Sequence, residues 1–165
     1  MKRGAAPRVR RVRRLEREQL VPVPPQEVFA FFAQARNLEA LTPPWLRFSV
    51  LTPEPIEMRP GTLIDYRLRL HGVPLRWTSL IEEWEPGRRF VDRQVRGPYR
   101  LWHHTHVFVA HREGTLMRDR VAYELPLGPL GTVAHAMFVR SDLERVFDYR
   151  RLQVDRLLHA RAAAA

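Results

Sequence analysis

His104 and His106 stand one residue apart in the run Trp102-His103-His104-Thr105-His106-Val107-Phe108, and the segments on either side of it carry Asp92 and Asp119. An imidazole beside a carboxylate can move a proton, orient a polar group or offer a lone pair to a metal ion. Period-two alternation puts Phe90, Asp92 and Gln94 on one side of their segment. It does the same for Trp102, His104, His106 and Phe108 on the next, and for Met117, Asp119, Val121 and Tyr123 on the third. A dry core would place apolar residues at every one of these positions. Aromatic faces broken by a few acids and histidines suit a ligand cavity better.

Those faces meet only if the segments pair as antiparallel strands through short turns. Centring the first hairpin on Pro98 sets Asp92 opposite His104 and Gln94 opposite Trp102. A four-residue loop over residues 111–114 sets His106 opposite Asp119 and Trp102 opposite Tyr123. Directly opposed residues have Cβ atoms about 4.5–5.5 Å apart, and a slip of one residue would turn every one of them outward. The expectation is two carboxylate–histidine pairs side by side on a concave face.

The remaining elements follow from the same periods. Residues 15–21 alternate as a first strand, which Pro22, Pro24 and Pro25 end. Proline suits the first turn of a helix, and Gln26 and Glu27 suit its N-terminal dipole. Val28, Phe31, Phe32 and Ala35 then mark the inner side of that helix, with Phe29 at its edge, and a second short turn through Asn37, Leu38 and Leu41 stops at Pro43-Pro44. Strands are expected near residues 48–51, 61–70, 73–84, 89–95, 100–110 and 115–125, joined by short turns into a meander. The helical period returns with Leu130, Val133, Ala134, Met137 and Phe138. It continues through Leu143, Val146, Phe147, Val154, Leu157 and Leu158, and Ser141 and Glu144 have capping-box spacing.

Composition limits what this framework serves. The chain has 165 residues and no cysteine, so it has no disulfides and no thiolate chemistry. No apolar run approaches the roughly 18 residues that cross a bilayer, and the N-terminus has no apolar signal core, so a cytoplasmic protein is expected. The net charge of +10 suggests nucleic acid until it is located. Lys2, Arg3, Arg8, Arg10, Arg11, Arg13 and Arg14 supply +7 without an acid, leaving about +3 for the rest. Residues 1–12 read as a disordered basic arm that could touch anionic surfaces through phosphate contacts. No aromatic residue is interleaved with its arginines, so no specific nucleic-acid partner is expected. Residues 13–160 read as one domain and residues 161–165 as a frayed tail, in a monomer or homodimer.

One strand, two helical turns, a meander and a long closing helix make an α+β fold. This order resembles the START-like superfamily, which includes polyketide cyclases and aromatases, lipid-transfer domains and relatives of the birch-pollen allergen. So does the wording of Val23-Pro24-Pro25-Gln26-Glu27-Val28-Phe29 with the later Pro44-Trp45. The resemblance covers about residues 13–160. Within it, Gly97-Pro98-Tyr99, Trp102-His103-His104-Thr105-His106 and Asp119-Arg120-Val121-Ala122-Tyr123-Glu124-Leu125-Pro126 look like a bacterial subgroup, some of whose members are fused to proteins resembling sugar-nucleotide epimerases. The resemblance implies a helix-grip fold, a curved antiparallel sheet wrapped around a long C-terminal helix, and leaves activity open because no shared catalytic motif unites the superfamily.

Several roles for the cluster stay open. The aspartates and histidines could satisfy one another in a partly hydrated interior, since an unpaired buried charge is costly. They could orient the polar group of a hydrophobic small molecule whose bulk rests on Tyr66, Trp77, Phe90, Gln94, Trp102, Phe108, Met117, Tyr123, Met137 and Phe147. Or His104, His106, Asp92 and Asp119 could catalyse proton transfer α to a carbonyl, as a cyclase, aromatase or dehydratase requires. A non-catalytic interaction domain is the remaining class. His104 and His106 could also reach one ion, with Asp92 or Asp119 completing a site, but the spacing is common and the acids could equally stand behind the rings. No metal and no cofactor is therefore expected: there is no glycine-rich phosphate loop and no nucleophile elbow. The other histidines, at 71, 103, 111, 135 and 159, read as turn or surface residues. Entry to the hollow is expected at residues 127–130 and the corner formed by residues 43–45.

Overall fold

The computed structural model describes residues 12–126, 133 and 135–162. Nearly all of the basic arm, the expected entry loop at residues 127–130, the stripe positions Leu130 and Ala134 and the last three alanines lie outside the described residues.

The first strand, β1 (Arg13–Val21), alternates Leu15 and Val21 inward with exposed Glu16, Glu18 and Leu20. It ends where three prolines remove ladder donors. Pro25 then opens α1 (Pro25–Phe32), with Glu27 in the first turn, and α2 (Asn37–Leu41) follows. Val28, Phe29, Phe31 and Phe32 of α1 are buried, while Ala30 faces out. Phe29 is not an edge residue: its ring meets Trp84, Phe90 and Phe108 at 4.9, 6.1 and 5.6 Å. The sheet and α1 thus close on both sides of that position.

A short 3-10 turn (Pro44–Leu46) leads to β2 (Ser49–Val50), β3 (Leu63–Leu70), β4 (Val73–Glu85), β5 (Arg89–Arg96), β6 (Leu101–His111) and β7 (Gly114–Glu124). Seven strands pair in the order β1-β7-β6-β5-β4-β3-β2, so the first strand returns to lie beside the last. The ladder is antiparallel throughout and the sheet is curved. Two irregularities between β4 and β5, at Thr78/Ser79 and Ile81/Glu83, interrupt the pairing. The second one inserts a residue, so Trp84 faces inward after Ile81 instead of following Glu82 outward.

One π-helical turn (His135–Val139) precedes α3 (Arg140–Ala162), which begins one residue before the expected capping position. Twenty-three helical residues span about 34 Å, enough to cross the sheet. Leu143, Phe147, Val154 and Leu158 face inward and are buried. Gln19 on β1 secures the far half of α3 by donating to Asp155 Oδ1 at 2.6 Å and to the Arg151 carbonyl at 2.9 Å. Val133, Met137 and Phe138, expected on the inner stripe, are instead exposed, because the π-helical turn breaks the period before α3 begins.

The core is three clusters. One joins α1 to Phe90, Phe108, Met117, Val154 and Leu158; a second joins Leu15, Val121 and Tyr123 to Leu143 and Phe147; a third gathers Val50, Ile64, Tyr66 and Ile81. Each contributes to the wall of one hollow between the sheet and α3.

Candidate functional site

The hollow has a volume of about 550 Å³. Its aromatic wall comes from alternate residues of β3 and β4 and from the start of β6. Trp77 and Trp102 meet edge to face at 5.3 Å, and Tyr99 packs on both, at 5.7 and 4.9 Å. Tyr66, Leu68 and Leu75 extend the wall along the sheet, and Leu143, Val146 and Phe147 face it from α3.

Asp92, His104 and His106 interrupt this apolar lining. The strand register is the expected one: Asp92 lies opposite His104, His106 opposite Asp119 and Trp102 opposite Tyr123. The β5–β6 ladder ends at Arg93–His103, short of the expected Gln94–Trp102 pair. Gln94 folds over the turn instead, donating to the Tyr99 carbonyl at 2.7 Å and accepting from its N–H at 3.2 Å.

The hydrogen bonds inside the cluster run diagonally to the register. His104 Nε2 is 3.0 Å from Asp119 Oδ1, and His106 Nε2 is 3.0 Å from Asp92 Oδ2. His104 Nδ1 lies 3.8 Å from Asp92 Oδ2, while His106 Nδ1 approaches Asp119 Oδ1 to 2.9 Å, off the hydrogen-bonding direction. The two imidazole rings are 3.7 Å apart, and Phe90 stacks on His106 at 4.1 Å. Both histidines are buried. Behind Asp92, Ser79 donates to Oδ1 at 3.5 Å and accepts from Trp77 Nε1 at 3.0 Å.

Burial and the neighbouring His106 lower the His104 pKa to about 4. Burial alone would also lower that of His106, but the Asp119 and Asp92 carboxylates against its two ring nitrogens outweigh it and raise the value. Burial would raise both aspartates; for Asp92 the His106 hydrogen bond and the charges of the histidines and Arg150 reverse that and lower its pKa. Asp119 is held well below the carboxylate range by the Arg150 charge and by the two imidazoles against it, His104 through a hydrogen bond, despite the same burial penalty. Two carboxylates are thus balanced by His106 and Arg150, with His104 neutral. Burial, then the Asp92 charge, raises the Tyr66 phenol well above its usual value.

Tyr66, Trp77, Phe90, Trp102 and Phe147 all reach the wall beside Asp92, His104 and His106. Asp119 sits behind the histidines, Phe108 and Met117 pack against α1, and Tyr123 packs with Leu143 and Phe147. These three apolar residues share the inward face but are covered by helices. Met137 is 62% exposed and off the wall. Sequence reasoning missed Ser79 and Arg150. The second could have been found: Arg150 falls three residues after Phe147 and four before Val154, on the inner stripe itself. It also missed His71, whose turn position hides a role at the rim. His71 Nε2 is 2.7 Å from Asp142 Oδ2, joining the β3–β4 turn to the first turn of α3, and both residues line the hollow. At the expected corner Trp45 is half exposed, lines the hollow and lies under the Arg145 guanidinium at 5.1 Å.

As potential metal donors, Asp92, His104 and His106 each turn one atom to within 4.8 Å of the others. Among the described residues no helix is long and apolar enough to cross a membrane.

Residues 21–148 match the family model described as polyketide cyclase/dehydrase and lipid transport. No curated protein matches the chain. Among solved structures, the Zhui aromatase/cyclase from Streptomyces sp. R1128 is 16% identical with a TM-score of 0.73, over 92% of this chain and 96% of that one. Ara h 8.0201 is 17% identical with a TM-score of 0.61, over 87% and 97%. The nucleoside-diphosphate sugar epimerase from Corynebacterium glutamicum is 23% identical with a TM-score of 0.62, over 86% of this chain but 28% of that one. At such identities these likenesses show the helix-grip fold alone.

Proposed function

The chain belongs to the polyketide cyclase/dehydrase and lipid transport family, and we propose that it binds a hydrophobic or aromatic small molecule, lipid-like or polyketide-like, in the hollow between the sheet and α3. One observation carries this reading: a wall of apolar and aromatic residues surrounds a few convergent polar groups in about 550 Å³. That volume lies within the range of about 300–1,000 Å³ usual for small-molecule sites. The ligand's bulk would rest on Trp77, Trp102, Tyr66 and Phe147, and its polar end would meet His104, His106 and Ser79. A polar group there replaces hydrogen bonds that water would otherwise supply to a buried, charged cluster. Titration with a polycyclic aromatic fluorophore and with long-chain fatty acids tests this, and saturable binding of one molecule per chain is expected. Mass spectrometry of what co-purifies would identify the natural class.

A second reading is a cyclase- or dehydratase-type enzyme, and one observation favours it. The two adjacent imidazoles are driven apart, His104 toward the neutral form and His106 toward the protonated one. Such a split suits a base and an acid acting on one substrate, with His104 taking a proton α to a carbonyl and His106 protonating a departing hydroxyl. His104→Ala or Asp119→Asn would then abolish turnover of a β-hydroxy ketone while leaving apolar ligands bound. Turnover unchanged in both variants removes this reading and leaves binding standing.

A further inference from the structure

We propose that the polar end of the hollow is a binding site for one divalent transition-metal ion of zinc-like character, held by His104 Nδ1, His106 Nε2 and Asp92 Oδ2, with a further position open to the cavity. Asp92 Oδ2 lies 3.0 Å from His106 Nε2 and 3.8 Å from His104 Nδ1. Donor atoms bound about 2.0–2.2 Å from a tetrahedral ion stand about 3.3–3.6 Å from one another. These two edges bracket that length, and all three donor atoms lie within 4.8 Å of one another, so the side chains need only draw together to close on an ion.

The nitrogens not assigned to the ion support the same geometry. His104 Nε2 and His106 Nδ1 lie 3.0 and 2.9 Å from a single oxygen, Asp119 Oδ1. Only His104 Nε2 is aligned for a hydrogen bond to that oxygen, and an N–H there leaves His104 Nδ1 as a lone pair facing Asp92. His106 Nε2 already meets Asp92 Oδ2 in a hydrogen bond, so an ion would take the place of the proton between them, with Asp119 beside Nδ1 to receive the N–H of the other tautomer. A carboxylate behind the ring is the usual partner of a metal-binding histidine, because it fixes the tautomer and raises the basicity of the ligating nitrogen. Asp119 is therefore a positioning residue and Asp92 a ligand, although the two acids occupy matching places in the register.

The donor set selects the ion. Two imidazoles and one carboxylate suit zinc and its first-row neighbours, while calcium and magnesium take oxygen ligands. Three protein donors on the wall of a cavity leave room for an exogenous oxygen, unlike a closed structural site with four. Arg150, whose charge acts on both aspartates, faces the cluster from α3 and opposes a second cation. One ion fits, not a pair. The site does not depend on the hydrophobic-ligand reading, since the ion would bind in an empty hollow.

The test uses the full chain without a histidine tag, stripped with a chelator and titrated with Co2+ and then Zn2+. One equivalent of ion retained through gel filtration is expected, with the visible Co2+ bands of a four- or five-coordinate site that Zn2+ abolishes. Bound Co2+ should shift the imidazole NMR signals of His104 and His106 far more than those of His111 and His159. His104→Ala and His106→Ala should each lose the ion, Asp119→Asn should weaken it about 10- to 100-fold, and His103→Ala on the outer face should retain it. Folded wild-type protein that retains no ion overturns the proposal, whatever the variants do. So does retention unchanged in folded His104→Ala. Fluorophore binding by the stripped protein reports separately on the hydrophobic-ligand reading.

Discussion

His106 sits directly across the ladder from Asp119, yet its aligned hydrogen bond runs the other way, to Asp92 on β5. His104 does the converse, opposing Asp92 but bonding Asp119 on β7. Each imidazole therefore touches both acids, and the cluster behaves as one unit of four side chains instead of two pairs.

The first consequence is pH dependence, measured on metal-stripped protein. His104 falls from its ordinary 6.5 to about 4 on folding, so the unfolded chain takes up that proton first and stability declines as pH drops from about 6.5 toward 4. The depressed aspartates add stability that is present above the usual carboxylate pKa and lost as pH falls further. His106 works oppositely: its raised pKa gives stability that is full below 6.5 and lost as pH rises through the folded value. A thermal midpoint that peaks near pH 6–7 and falls on the acid side is expected, with the slope between pH 6.5 and 4 removed in His104→Gln. A midpoint flat from pH 7 to 4 would contradict this.

Removing one member of a buried charged network leaves the others unpaired. Asp119→Ala should cost about 3–5 kcal/mol in urea unfolding. The exposed His71–Asp142 contact offers the contrast, and His71→Ala should change stability by less than about 1 kcal/mol. Because that contact joins two sides of the rim, the same variant should speed release of a bound fluorophore in stopped-flow displacement. Equal costs for the two substitutions would mean that the cluster is not acting as a buried unit.

Gly114 opens β7 with a φ of +131°, and a Cβ there would press on the Val21 carbonyl and come within 2.8 Å of Pro22 Cα and Val23 N. The crowding arises because the chain leaving β1 crosses this turn, where Thr115 Oγ1 donates to the Val23 carbonyl at 2.6 Å. Backbone strain and backbone overlap together should make Gly114→Ala cost about 3 kcal/mol or more. Urea unfolding measures it, and a loss under about 1 kcal/mol would show that the crossing can relax.

Val146 faces the hollow from α3 and is only partly buried. Val146→Trp should fill the space left for a ligand. Fluorophore affinity is expected to fall at least about tenfold, equivalent to about 1.4 kcal/mol, while the thermal midpoint changes little. Unaltered affinity would place the ligand elsewhere.

The parts set by local period could be read from the chain alone. Alternation in residues 90–94, 102–108 and 117–123 gave the strand faces, and two short turns gave the register that joined Asp92, His104, His106 and Asp119. Alternation could not say which inward residues stay uncovered. Phe108, Met117 and Tyr123 face the same side as the histidines, but α1 and α3 cover them. Nor could it show the irregularity that turns Trp84 inward, since an inserted residue resets the period without a marker in the sequence. Arg150 was passed over because charge on an inner stripe reads as surface. His71 became a rim residue only through contact with Asp142, seventy-one positions away.

The most direct test is equilibrium titration of the full chain with a polycyclic aromatic fluorophore, run beside Val146→Trp and Trp102→Ala. Saturation at one molecule per chain in the wild type, weakened in both variants and competed away by a fatty acid or an aromatic polyketide, is expected. No saturable binding to folded wild-type protein, or binding that both substitutions leave untouched, would contradict a ligand-holding hollow between the sheet and α3.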